Sequence, residues 1–202
     1  MNSDQALAAL IAGNKNFVKA MSAKQDLQTK VLSGEVLKVQ KPFAIILGCS
    51  DSRVPAELVF DQGFGDLFVI RVAGNIVAPS QIGSIEFACQ QFGTQLVIVL
   101  GHSHCGAIQA TVDALLGDSE EISPNIAAIV DRVTPAVHPI VCDHEGEDRD
   151  DLMQKSMRAN VEQSVRMLRM RSRILRGLIR SGELKIVGAE YSIETGVVEF
   201  HT

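Results

Sequence analysis

Two short segments of this chain carry side chains that could hold a metal ion. They are Gly48-Cys49-Ser50-Asp51-Ser52-Arg53 and Gly101-His102-Ser103-His104-Cys105-Gly106. Thiolate sulfur and imidazole nitrogen are donors that suit zinc. The spacing of His102 and Cys105 lets both reach one ion from a turn that starts a helix. Amide groups exposed at such a helix start would favour a thiolate at Cys105. If Cys49 lies beside them, three protein ligands leave a fourth tetrahedral position, the mark of a catalytic zinc rather than a structural one.

A water at an open zinc position is acidified into a nucleophile at neutral pH. Two thiolates donate more charge than imidazoles would, so the acidification should be weaker than on a three-histidine site. Asp51 is close enough to Cys49 in sequence to accept a hydrogen bond from that water or to ligate the ion itself. Arg53 can bind the Asp51 carboxylate in bidentate fashion and hold it off the metal. On spacing alone, a closed structural site with Asp51 as permanent fourth ligand competes with the catalytic one. A lone cysteine would be read as core; the polar set after one apolar run and His-x-x-Cys after another argue for a catalytic metal.

These segments must be positioned by the runs that precede them. Phe43 to Leu47, Leu67 to Val72 and Leu96 to Leu100 are short, β-branched and uninterrupted, as strands buried on both faces of a parallel sheet are. Helical patterns alternate with them: one capped by Ser80 and stopped by Gly93, another from Gly106 to about Leu116 before Gly117. The alternation predicts an α/β domain with a central, mostly parallel β-sheet flanked by helices. Ligands in such sheets gather at the carboxyl ends of the strands, where both metal-capable segments sit.

Residues 3–32 read as an amphipathic helix, forming an N-terminal arm over 1–40 ahead of an α/β core over 41–202. Residues 125–140 read as helical, with Pro135 as a break or kink. Residues 142–151 read as an acidic exposed loop, followed by a long helix striped by Met157, Val161, Val165 and Leu168. Residues 184–189 and 197–200 read as closing strands, the second a short C-terminal edge strand. No repeat, low-complexity segment or linker divides the chain, so one domain is predicted.

The 202 residues are 46% hydrophobic and 21% charged, which allows a sizeable core. A net charge of −5 argues against a nucleic-acid partner. No apolar run reaches the roughly 18 residues of a membrane span. Four cysteines without a signal peptide point to a reducing cytoplasm, where Cys49 and Cys105 serve as ligands rather than bridges. Cys89 shares a helix face with Ile82, Ile85 and Phe92 and reads as core. His104 could shuttle protons or simply face solvent. Cys142, His144 and the acids around them read as a solvated loop, and the arginines from Arg166 to Arg180 as a solvated or subunit-contact face.

The two segments, extended to Val54-Pro55-Ala56-Glu57 and Gly106-Ala107, resemble the motifs of β-class carbonic anhydrases. Residues 65–75, Gly83-Ser84-Ile85-Glu86-Phe87-Ala88 and the tail from Leu184 to Gly196 resemble the same family, so the likeness covers nearly the whole chain. The resemblance implies Zn2+ on Cys49, His102 and Cys105, an Asp51–Arg53 dyad, and attack of zinc-bound hydroxide on CO2 to give bicarbonate. It implies that Gln40 helps to orient substrate, that Val54 and Phe68 are apolar positions near the pocket, and that Gly106 offers its amide beside the metal. Phe87 stands where some members carry a pocket tyrosine. Ile46 stands where a bicarbonate-inhibited subgroup has a tryptophan, although Arg71 and Tyr191 resemble other parts of that second site. This favours the subgroup whose zinc keeps its water. A homodimer is also implied, often paired into a tetramer, with pockets at the interface and the N-terminal helix lying on the partner. Rival readings are a carbonyl sulfide or carbon disulfide hydrolase on the same scaffold, and a non-catalytic zinc-binding or CO2-sensing module.

Overall fold

A computed structural model describes residues 1–23, 40–118, 122–144, 146 and 148–201. Four parallel strands and one antiparallel strand form a single sheet: β1 (Ala44–Gly48), β2 (Leu67–Arg71), β3 (Leu96–His102), β4 (Lys185–Tyr191) and β5 (Val198–His201). Their order is β2-β1-β3-β4-β5, with only β5 antiparallel. The chain leaves β1 for β2 on one side and then returns to place β3 on the other. The direction of winding therefore reverses between β1 and β3, and a crevice opens beyond their carboxyl ends.

Two of the three apolar runs, those of β1 and β3, are buried on both faces as their composition predicts. The third, Leu67 to Val72, is only half-buried, because it forms the edge strand β2. Alternate side chains feed two cores. One face packs Ile45, Leu47, Val97 and Val99 against α3 (Pro79–Phe92), α4 (Gly106–Leu116), α5 (Pro124–Cys142) and α6 (Arg149–Arg171). The other packs Ile46, Ile98, Val187 and Tyr191 against α1 (Ser3–Ser22) and α2 (Ala56–Val59). Cys89 lies in the first core, as its helical spacing predicts. Among the described residues, no helix is long and apolar enough to cross a membrane.

Several boundaries differ from the sequence expectation. α1 closes at Ser22 with Ala23 as its C-cap, short of residue 32, and residues 24–39 lie outside the described set. One face of α1 packs on its own chain's sheet. Asn14 explains why: its buried side chain donates to Val59 O and Gly196 O and accepts from Val198 N. α3 begins at Pro79, whose missing N–H is harmless at a first helical position, so Ser80 is inside the helix and does not cap it. α5 runs unbroken through Pro135 and Pro139. A proline inside a helix costs about 3 kcal/mol, but here Val130, Val133, Ala136 and Val137 bury one face of the helix and offset that cost. It ends at Cys142, so the acidic loop is shorter than residues 142–151. The helix after it is followed by a separate short one, α7 (Arg173–Arg180), capped by Ser172.

Two glycines permit close approaches. A Cβ on Gly101 in β3 would meet Val161 at 2.5 Å and Met157 at 2.8 Å, so its absence lets α6 lie against the sheet beside His102. A Cβ on Gly13 in α1 would fall 1.8 Å from Phe60 O, a backbone atom that no rotamer change can move. Gly13→Ala should therefore push α1 away from α2 and cost about 1–3 kcal/mol. The measurement is urea unfolding: a lower midpoint at unchanged slope is the expected result.

Candidate metal centre

β1 and β3 pair so that Gly48 lies opposite Leu100. Cys49 leaves the end of β1, His102 ends β3, and Cys105 sits at the N-cap of α4. Their donor atoms all lie within 4.8 Å of one another, and the three residues are between 0% and 6% exposed. His102 Nδ1 lies 2.8 Å from Ser103 O. A carbonyl can only accept, so Nδ1 carries the hydrogen and Nε2 presents a lone pair. That Nε2 is buried and has no hydrogen-bond partner. An orphaned imidazole nitrogen aimed among two thiols is the donor set of a zinc ion, and the residues fit one.

The two cysteines share the charge unequally. The Cys105 thiol donates to Cys49 and lowers its pKa, against burial, with His102 and the amides of Gly74 and Asp51 adding to the effect. Cys105 is pushed up by the proton it shares with Cys49 and by burial. The amides of Ala107 and Ile108 do pull it down, as a helix start should, but they are outweighed. The hydrogen bond between the two thiols favours the charge on Cys49, while the amides at the start of α4 pull Cys105 in the predicted direction.

Asp51 and Arg53 lie on the turn after β1. Arg53 Nε donates to Asp51 Oδ1 at 3.0 Å and Nη2 to Oδ2 at 2.7 Å, while the Arg53 amide donates to Oδ1 at 2.9 Å. The guanidinium beside it holds the Asp51 carboxyl well below the usual carboxylate range. Arg53 Nη2 also donates to His104 O at 3.1 Å, linking the two strand-end turns. A second arginine braces the first turn: Arg71 donates to Cys49 O at 3.1 Å and to Asp51 O at 2.6 Å.

The carbonic anhydrase family model matches residues 44–198. A carbonic anhydrase of Mycolicibacterium smegmatis is 36% identical over 202 residues, covering 94% of this chain and 95% of the relative. The solved structure of the β-carbonic anhydrase CcaA superposes with a TM-score of 0.72 at 26% identity, covering 83% of each chain. The chain belongs to the β-class carbonic anhydrase family. A tetrameric β-carbonic anhydrase of Sordaria macrospora shares the fold, with a TM-score of 0.74 at 22% identity over 82% of this chain and 83% of that one. Family membership makes the chain an enzyme of the carbonic anhydrase type and supports hydration of carbon dioxide as its reaction.

Within one chain of this family member, the predicted site residues divide into two groups. Val54 is buried, its amide donating to Asp51 O within the turn after β1, and Gly106 opens α4 next to Cys105. Gln40 is exposed and precedes β1, so it lies at the opposite end of that strand from Cys49. The strand alone separates its two ends by roughly 13 Å. Phe68 and Phe87 belong to an aromatic cluster with Phe92 along β2 and α3, with ring centroids 5.7–6.3 Å apart. Of the second-site candidates, Arg71 is turned to the backbone of the 49–51 turn, and Tyr191 packs on Phe17.

Sequence reasoning missed the carboxylate that meets His104. Glu194 meets His104 Nε2 and accepts from Ser103 Oγ and Ser192 Oγ at 2.8 and 2.9 Å. It stands in the β4–β5 turn, 90 residues on, with no local pattern to mark it. A cavity of 360 Å³ opens here, lined by His102, Cys105, Ile108, Met157 and Glu194. Its own amide, the two serines and His104 hold the Glu194 carboxyl down to about 2. A group lowered on folding stabilises above its unfolded pKa, about 4.3, and that contribution is lost as pH falls toward 2. A carbon-13 NMR titration should find the Glu194 midpoint well below the ordinary glutamate value, and Ser103→Ala should move it upward.

Proposed function

We propose that this chain reversibly hydrates carbon dioxide to bicarbonate and a proton, with a zinc ion held by Cys49, His102 and Cys105. The observation that carries the reading is the state of Asp51. Its two carboxylate oxygens are occupied by Arg53, which leaves three donors for the ion and keeps a fourth position open. Zinc, when bound, supplies the Lewis acidity that makes a water nucleophilic at neutral pH.

The chain's own groups do the rest. Asp51, kept ionised by Arg53, is an acceptor only, so it takes one hydrogen of a water and fixes where that water's lone pair points. Arg53 stops the carboxylate from reaching the ion. Val54 and Gly106 border the same point, one with an apolar side chain and the other with a backbone amide. A small, linear, weakly polar substrate suits an apolar wall with few polar groups.

We further propose a homodimer formed along the β2 edge, where Phe87 is 50% exposed beside Phe68 and Phe92. An edge strand flanked by an exposed Phe87 and two half-buried phenylalanines needs covering. A partner across this edge supplies the Gln40, Phe68 and Phe87 positions that one chain holds away from its own ligands. Pairing of dimers into a tetramer belongs to the same reading. All four cysteines are free thiols, which fits a cytoplasmic enzyme.

The test is stopped-flow CO2 hydration over pH with zinc content measured on the same samples. Cys49→Ser should lose most of its zinc. Arg53→Ala should keep zinc and lose activity by roughly 100-fold. Full activity in Arg53→Ala overturns the dyad. Bound zinc with negligible hydration, or a large preference for carbonyl sulfide, overturns the reaction.

A further inference from the structure

The short helical turn Ala73–Asn75 after β2 touches the metal centre through one atom: the Gly74 amide donates to Cys49 Sγ at 3.4 Å. The backbone needed for this is unusual. Gly74 has φ 69° and Asn75 φ 43°, two successive residues in the left-handed region, where Asn75, unlike glycine, carries a Cβ. Such a turn persists only where its surroundings hold it.

Two side chains of α6 do the holding. Asn160 Nδ2 donates to Gly74 O at 2.8 Å, and Ser164 Oγ donates to Asn75 O at 3.1 Å. Both residues are 2% exposed, on the buried face of α6 among Met157, Val161 and Leu168. Polar side chains on a buried apolar stripe are costly unless they meet partners, and these two meet the same turn. From the other side, a Cβ on Gly74 would come within 3.0 Å of Ala107 in α4. Gly74 is thus clamped between α4 and α6: Asn160 fixes its carbonyl, in the peptide that follows the one carrying its N–H.

We propose that Asn160, backed by Ser164, is a positioning residue that aims the Gly74 N–H at Cys49 and so sets how strongly this sulfur donates to the metal. The inference rests on the reading of Cys49 as a ligand. A hydrogen bond to a thiolate draws electron density from the sulfur, as hydrogen bonds to ligating sulfurs do in other metal centres. With two thiolates on one ion, withdrawing charge from one of them raises the Lewis acidity left for the fourth position. Asn160 touches neither metal nor substrate; it acts through Gly74.

The experiment uses the full chain loaded with cobalt(II) in place of zinc, and reads the thiolate-to-metal charge-transfer band. Asn160→Ala should move the band to longer wavelength, lower zinc affinity in chelator competition by about tenfold, and shift the midpoint of the pH–rate profile upward. Ser164→Ala should move the band in the same direction by less, and it decides the matter if Asn160→Ala does not fold. Val165→Ala, on the same helix, should lower stability and leave the band in place. A folded, metal-loaded Asn160→Ala with band and midpoint unmoved overturns the proposal, as does an unmoved Ser164→Ala if that variant must decide. A wild-type protein with no such band would instead overturn Cys49 as a ligand.

Discussion

The parallel pairing of β1 with β3 is the constraint on which the rest of this molecule depends. The two strands are adjacent in the sheet but 52 residues apart at their paired ends, Gly48 and Leu100. Winding reverses between them, so no connecting helix crosses the crevice at their carboxyl ends. Both strands are wholly buried, and a slip of one residue would turn every side chain to the wrong face. The register that satisfies the two apolar cores is therefore the register that brings Cys49 to His102 and Cys105. Core packing and metal-site assembly are one requirement.

Around the three donors, the chain builds a polar frame from elements that have little else to do with chemistry. Arg71 on β2 binds the carbonyls of Cys49 and Asp51, and Arg53 reaches back from the same turn to His104 O. Asn160 and Ser164 on α6 fix the turn that offers an amide to Cys49. A thiolate buried without such donors would be expensive, because low-dielectric surroundings disfavour the charged form. The frame makes that charge tolerable at Cys49, where the amides of Gly74 and Asp51 lower its pKa against burial.

The two edges of the sheet are treated differently. β5 closes one edge as a short antiparallel strand whose Glu199 is exposed, and such charged, brief strands resist further pairing. β2 ends the other edge half-buried, beside three phenylalanine rings. Of the substrate-facing positions that the family resemblance assigns, Phe68 and Phe87 belong to that aromatic cluster, and Gln40 stands at the end of β1 opposite Cys49.

Much was legible in the amino-acid sequence because it depends on local pattern. Short uninterrupted apolar runs mark the strands, Gly93 and Gly117 take the left-handed caps that end α3 and α4, and Cys, His and Cys after strand ends carry their donor chemistry wherever they lie. Tertiary structure alone decided what depends on distance along the chain. It set the strand order that makes three donors into one centre, the hydrogen-bond hub at Asn14 that draws α1 onto its own sheet, and the pairing of His104 with Glu194. Burial carried α5 through two prolines that local preference reads as a break. The polar pair Asn160 and Ser164 stood visible on an apolar helix stripe, but its partner turn lies more than 80 residues away. A side chain's type states what bonds it can make; only the packed fold states which atom receives them.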